Sequence, residues 1–219
     1  TSASATSTVQ KNAGGMTLIT CHANADFDAF AGMLAARFLY TPHVLLFPGS
    51  QERGLQKLVA GLDMAALGIV ETAAIPWNDI TRLVVVDTRQ RGRISHVAQL
   101  LDRADVTVEL WDHHPDSTDD ISSPHTHMAH IGSVTSLIVQ SIAERGLSMS
   151  AEDATLLGLG IYGDTGSFTY SSTTQADFHA AAWLLGMGMD VNRIDALAAH
   201  ELTSLHIQAL NSLLESTQT

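Results

Sequence analysis

Met16-Thr-Leu-Ile-Thr-Cys21-His22-Ala-Asn-Ala-Asp26-Phe-Asp28 runs from a β-prone apolar hexamer directly into a histidine, two acids and the start of a helical pattern. An apolar run of this length, bounded by polar residues, reads as a strand buried on both faces. From Asp28 to Tyr40 the apolar residues recur at helical spacing instead. Working outward, the same alternation repeats: Val44 to Phe47, Leu83 to Val86 and Val106 to Leu110 are strand-like, and Gln51 to Leu62 and Ile94 to Arg103 are helix-like. Strand and helix in alternation predict an α/β fold, doubly wound, with a mainly parallel sheet and helices on both faces. Beyond about residue 132 the strand signals fade. Val134 to Arg145, Ala151 to Tyr162, Gln175 to Met187 and Val191 to His200 all read as helices, so the C-terminal part is expected to form a helical cap over one end of the sheet.

With 219 residues the chain can bury an ordinary core as one domain. Residues 1–15, rich in Ser, Thr, Ala and Gly, read as a flexible leader, residues 16–200 as the folded domain, and residues 201–219 as a connecting helix toward a further C-terminal domain. A net charge of -12 argues against a surface that tracks long duplex nucleic acid, which needs a broad basic stripe. A short anionic substrate stays open, because bound cations can dominate the local field of an acidic protein. The single cysteine, Cys21, excludes an internal disulfide framework and points to a cytoplasmic setting. No apolar run reaches the length of a membrane span.

Four segments carry potential metal chemistry. His22, Asp26 and Asp28 sit on the loop between the first strand and the first helix, where doubly wound sheets place ligands. Either acid alone would read as a helix cap; together with the histidine they read as ligands. Asp87 ends the apolar strand Leu83 to Val86, a common pattern that is weakly specific by itself. Asp112-His113-His114 follows another strand and could supply a ligand, an orienting acid and a substrate contact. Asp164, in Gly160-Ile-Tyr-Gly163-Asp164-Thr-Gly166, ends a predicted helix and reads equally as a ligand or as part of a C-cap. Two divalent ions would balance the charge of Asp26, Asp28, Asp87 and Asp164. Mixed oxygen and imidazole donors favour manganese, with magnesium as the alternative.

These motifs, in this order from Met16 to Thr169, resemble the DHH family of phosphoesterases, which takes its name from the run seen here as Asp112-His113-His114. The resemblance implies His22, Asp26 and Asp87 at one metal, and Asp28, His113, Asp164 and a bridging Asp87 at the second. It implies a phosphate-contacting role for His114 and an orienting role for Asp112, the two residues assigned to catalysis. The implied reaction is hydrolysis of a phosphodiester or phosphoanhydride in a nucleotide or short single-stranded oligonucleotide by a hydroxide that two metals activate. Phe47-Pro-Gly-Ser-Gln-Glu52 and Asp87-Thr-Arg-Gln90 are similar to the DHH region at the front of large bacterial proteins with CBS domains and a tRNA nucleotidyltransferase-type head. That similarity carries the alternative of a nucleotide- or metal-binding regulatory module, inactive alone. Related enzymes carry a C-terminal substrate-binding domain with a glycine-rich, histidine-containing loop, and nothing after Asp164 resembles it.

Weaker features compete with bland readings. Ser133 and Thr135 open a helix and could offer phosphate contacts or simply cap it. Arg89, Arg91 and Arg93 could bind phosphate or be solvated loop charges; Arg91 and Arg93 are kept as substrate-binding candidates. Gly158-Leu-Gly160-Ile-Tyr-Gly163 matches a dinucleotide fingerprint but ends a helix rather than opening one, so it reads as helix packing. His125, His127 and His130 read as surface residues on an edge strand, and Cys21 as a small buried residue.

Overall fold

The computed structural model describes residues 15–198; the expected leader, Gly15 apart, and the expected connecting helix lie outside the described residues. Five parallel strands form one sheet in the order β2-β1-β3-β4-β5: β1 Met16–Cys21, β2 His43–Leu46, β3 Ile80–Val86, β4 Thr107–Asp112 and β5 His125–Met128. Alternate side chains of the central strands enter two apolar layers. Ile19, Cys21, Val84, Val86 and Trp111 face one layer, and Leu18, Leu83, Val85 and Leu110 face the other. Burial on both sides is why these strands are apolar throughout rather than alternating.

Helices α1 (Phe27–Ala36) and α4 (Val134–Glu144) contribute to the first layer, along with α5 (Ala151–Asp164), which packs on α1. The helices α6 (Gln175–Gly186) and α7 (Val191–Ala198) pack on α4 and α5. The helical C-terminal part is therefore stacked on the face that α1 covers, not placed over one end of the sheet. The first predicted crossover helix is confirmed, and the second becomes α2 (Arg53–Ala60). The third, expected at Ile94 to Arg103, is broken: a 3-10 stretch, Arg91–Val97, with a non-helical backbone at Ile94, is followed by one turn of α3 (Ala98–Leu101). Its buried residues Ile94, Val97 and Leu100 recur every three residues and all enter the second apolar layer.

The glycines of Gly158-x-Gly160-x-x-Gly163 lie within α5, as the packing reading requires. A Cβ at Gly160 would stand 2.5 Å from the Ala31 Cβ on α1, and one at Gly158 would stand 2.2 Å from the Met189 sulfur. The bare backbone lets α5 lie directly on α1.

The sheet order places a topological switch point between β1 and β3, since the chain leaves β1 toward β2 on one side and returns to β3 on the other. Ligands bind outside the carboxyl ends of strands at such a point. Cys21 pairs with Val86, and Val86 with Trp111, so β1, β3 and β4 end almost level. The next residues, His22, Asp87 and the Asp112-His113 pair, emerge side by side.

Candidate metal centre

Three groups of His and Asp side chains could hold an ion, each with ligand atoms within 4.8 Å of one another: His22, Asp26 and Asp87; Asp28, His113 and Asp164; and Asp87, His113 and His114. All six residues expected as ligands are thus brought together from four segments of the chain, and Asp87 joins two groups. Asp87 is buried and has a left-handed backbone with φ 65°. Its amide donates to the Trp111 carbonyl at 2.8 Å, which extends the β3–β4 pairing to the end of the strand and turns the carboxylate across the switch point. One oxygen lies 3.1 Å from His22 Nε2 and the other 3.4 Å from His113 Nε2.

His113 Nε2 also lies 3.2 Å from Asp164 and 3.7 Å from Asp28. Its other nitrogen, Nδ1, sits 3.1 Å from the Ile131 carbonyl, so Nδ1 carries a proton and donates there while Nε2 faces the acids. Asp87 Oδ1 and His113 Nε2 are buried without a hydrogen-bond partner. Two inward-facing donor atoms left bare in this way suit a divalent cation with oxygen and imidazole ligands.

The electrostatics agree with that fit. Burial pushes the Asp28 carboxyl well up, and Asp87 and Asp164 push it further. Burial and then Asp87 raise Asp26. For Asp87 itself burial acts upward, but His113 and His22 outweigh it and bring the pKa to about 2. His113 is opposed by burial yet held up to about 12 by Asp164, Asp87 and Asp28. Without an ion, a proton on His113 supplies the positive charge that these acids demand.

Each acid is also held from behind. Asp26 is the N-cap of α1, its side chain accepting from the Ala29 amide at 2.9 Å, so the capping reading and membership of the cluster hold together. Asp28 is fully buried and accepts from Ser133 Oγ at 2.7 Å, Val134 N at 2.7 Å and Thr135 N at 3.0 Å. Of the two readings of Ser133 and Thr135, capping holds for Ser133, whose hydroxyl accepts from the Ser136 amide at 3.2 Å. Both residues are completely buried and grip Asp28 through the first turn of α4, so as substrate contacts they are corrected.

The Asp112 side chain belongs to none of the three groups and meets the cluster from behind, through the loop backbone and His114. Its Oδ1 accepts from the amides of His113 at 2.9 Å and His114 at 3.3 Å and lies 2.7 Å from His114 Nδ1. Arg89 Nε binds its Oδ2 at 2.9 Å. Asp112 is therefore a positioning residue. His114 is left with Nε2 directed away from that contact and a side chain 45% exposed, the most open histidine of the cluster. The Asp112 hydrogen bond raises its pKa.

The three arginines part company. Arg89 is buried and binds Asp112, Asp116, Asp120 and the His114 carbonyl, so it is neither a phosphate contact nor a solvated charge but the clamp of the Asp112-His113-His114 loop. Arg91 is exposed and paired with Asp102 at 2.7 Å, so it does not join the cluster. Arg93 does: its Nη2 stands 2.9 Å from His22 Nδ1 and 3.1 Å from His22 Nε2. One nitrogen so close to both ring nitrogens cannot lie in the ring plane, where Cε1 stands between them. The guanidinium rests on the face of the imidazole, leaving His22 Nδ1 to donate to the Ala23 carbonyl at 2.9 Å and Nε2 to face Asp87.

Among the described residues, Cys21, His125, His127 and His130 belong to no such group. Cys21 is fully buried, and His127 stacks on Trp111 with centroids 4.0 Å apart while its Nε2 meets Glu109 at 2.9 Å. Sequence reasoning passed over the Ile131 carbonyl, for which no side-chain signal exists, and the clamp role of Arg89, whose acidic partners at 112, 116 and 120 were visible.

No protein-family model matches the chain. Over 201 residues, 92% of its length, the chain is 39% identical to an A-adding tRNA nucleotidyltransferase of Geobacter sulfurreducens, and it spans 23% of that protein. Over 110 residues, 49% of its length, it is 34% identical to a probable bifunctional oligoribonuclease and PAP phosphatase, NrnA, of Streptococcus mutans, spanning 34% of it. The structure of an exopolyphosphatase-related protein from Bacteroides fragilis superposes with a TM-score of 0.71 at 18% identity, covering 92% of this chain and 61% of that one. These relatives agree with the resemblance to the DHH family that the motifs carry. In this domain the run Asp112-His113-His114 divides its labour between an anchor, an inward imidazole and an outward one. No described helix is long and apolar enough to cross a membrane.

Proposed function

We propose that this domain is a metal-dependent phosphoesterase that hydrolyses a phosphodiester or phosphoanhydride in a nucleotide or short single-stranded oligonucleotide. The observation that carries the reading is the pair of groups His22-Asp26-Asp87 and Asp28-His113-Asp164, joined by the 3.4 Å approach of Asp87 to His113, with His114 open beside them. His22, Asp26 and Asp87 would hold one ion, and Asp28, His113, Asp164 and Asp87 the other, manganese being the better match to the imidazoles and magnesium the alternative. Bound divalent cations supply charge to phosphoryl oxygens and acidify water. His114, fixed by Asp112 and favoured in its protonated form, would donate to a phosphoryl or leaving oxygen. Arg93, lying on the face of His22, would meet a second phosphoryl oxygen. The printed name of the Streptococcus mutans relative, an oligoribonuclease and PAP phosphatase, supports a short nucleotide substrate. The net charge of -12 speaks against long duplexes.

The test is a manganese-dependent screen of short RNA, dinucleotides, pyrophosphate and a generic phosphodiester with the chain and its His114→Ala variant. Turnover of one class, reduced about 100-fold or more in the variant, is expected. Manganese binding without turnover of any of them would overturn the catalytic reading. It would favour the second one, a nucleotide- or metal-binding regulatory module of a larger tRNA nucleotidyltransferase-type protein. That reading is motivated by the 39% identity to a tRNA nucleotidyltransferase of which the chain spans 23%.

A further inference from the structure

Asp177 is fully buried near the start of α6, and its bonding exceeds what that helix needs. Its Oδ2 accepts from the Thr174 amide at 2.8 Å and from the Thr174 hydroxyl at 2.9 Å, which a capping box explains. The same oxygen also accepts from the Gly132 amide at 2.9 Å, and Gly132 is 45 residues away in the chain. That amide belongs to the Ile131–Gly132 peptide, whose carbonyl oxygen accepts from His113 Nδ1 at 3.1 Å. Carboxylate, peptide and imidazole therefore stand in line.

The other two members of the Asp28, His113 and Asp164 group are backed at the same place. Ser133, the next residue, donates to Asp28 at 2.7 Å. Thr165, the residue after Asp164, packs so closely on Gly132 that a Cβ there would stand 2.9 Å from the Thr165 methyl and 2.9 Å from Asp177 Oδ2. The absence of a side chain at residue 132 is what admits both.

We propose that Asp177 is a positioning residue for this second metal group, acting on His113 through the Ile131–Gly132 peptide. The inference rests on the reading that the group binds a divalent cation. Metal-ligating histidines are oriented by what their other nitrogen donates to. Here the acceptor is a carbonyl whose own amide is bound to a buried carboxylate. Hydrogen bonds in series polarise one another, so the Asp177 charge strengthens the Ile131 oxygen as an acceptor. It thereby holds the ring with Nδ1–H on the Ile131 carbonyl, so that Nε2 is the nitrogen turned toward the acids.

The test combines calorimetric Mn²⁺ titration of the 219-residue chain with ¹⁵N-histidine NMR of the metal-free protein. The binding step that belongs to the second group is identified by its loss in Asp164→Asn. Asp177→Asn should weaken that step about 10- to 100-fold, leave the other within about twofold, and move the His113 Nδ1–H resonance upfield. Gly132→Ala, which displaces the carboxylate without removing it, should do the same. Thr174→Val should lower the melting temperature and change neither binding step. Unchanged titrations in Asp177→Asn, or equal weakening of both steps with an unmoved His113 resonance, would overturn the proposal. A wild-type chain that binds no Mn²⁺ would overturn the metal reading instead, and the metal-free His113 resonance would still decide whether Asp177 acts on that imidazole.

Discussion

Replacing Asp87 by Asn separates charge from shape at the residue common to two of the ligand groups. Asn tolerates the left-handed backbone found at residue 87, φ 65°, whereas Ala would add a strain of about 1–2 kcal/mol. Asn also keeps the volume of a side chain that is 2% exposed. What it removes is a carboxylate whose pKa the two histidines bring from an ordinary 3.8 to about 2. A folded pKa below the unfolded one contributes stability that is present above the ordinary value and lost as pH falls through the folded one. At neutral pH that contribution is about 2 kcal/mol, and losing it lowers the melting temperature of a domain this size by about 4–8 °C. The larger effect is on metal. Each ion bound at 100 times its dissociation constant stabilises the fold by about 2.7 kcal/mol. If Asp87 serves both proposed sites, the variant should lose most of the thermal shift that Mn²⁺ gives the wild type. Scanning calorimetry with chelator and with excess Mn²⁺ reads both quantities. An Asp87→Asn protein that folds and keeps the full Mn²⁺ shift would refute the shared-ligand geometry.

Two further outcomes follow from the same electrostatics. His113, held up to about 12, carries a proton that a metal must displace, so Mn²⁺ affinity should rise with pH across the neutral range. About one proton should be released per chain, measured by calorimetry in buffers of different ionisation heat. In the metal-free protein the sign is opposite: the His113 contribution to stability is fully present below its unfolded pKa and disappears as pH rises through about 12. Arg89→Met would leave Asp112 buried without its guanidinium and should cost about 3–5 kcal/mol in urea denaturation, with Asp112→Asn in the same chain restoring part of it.

The strand-loop-helix start at Met16 to Asp28 and the acids at strand ends made the parallel sheet and the six clustered side chains legible, because a buried parallel strand and a ligand loop each have a local composition. At Ile94 to Arg103 the apolar spacing reads as one helix, and only the fold shows the break at Ile94 and the 3-10 stretch ahead of α3. The fate of Ser133, Thr135 and Arg89 was not legible. A hydroxyl or guanidinium meets a buried carboxylate or a phosphate with the same chemistry, and only the tertiary fold decides which is nearer. The hold of Asp177 on Gly132 is a backbone contact between distant residues, and composition carries no trace of it.

The glycine face of α5 has a mechanical meaning for the metal centre. Asp164 rides at the end of α5, while Asp26 and Asp28 ride at the start of α1, and at Gly160 only the Ala31 methyl separates the two helix backbones. At Gly160 itself no long side chain lies between the helices to take up slack by changing rotamer; one turn on, the Phe27 ring lies against Gly163. The span across the cluster is therefore held at Gly160 by the main chain itself, and in the proposed metal site a preference among ions of different radius would be a property of how two backbones touch.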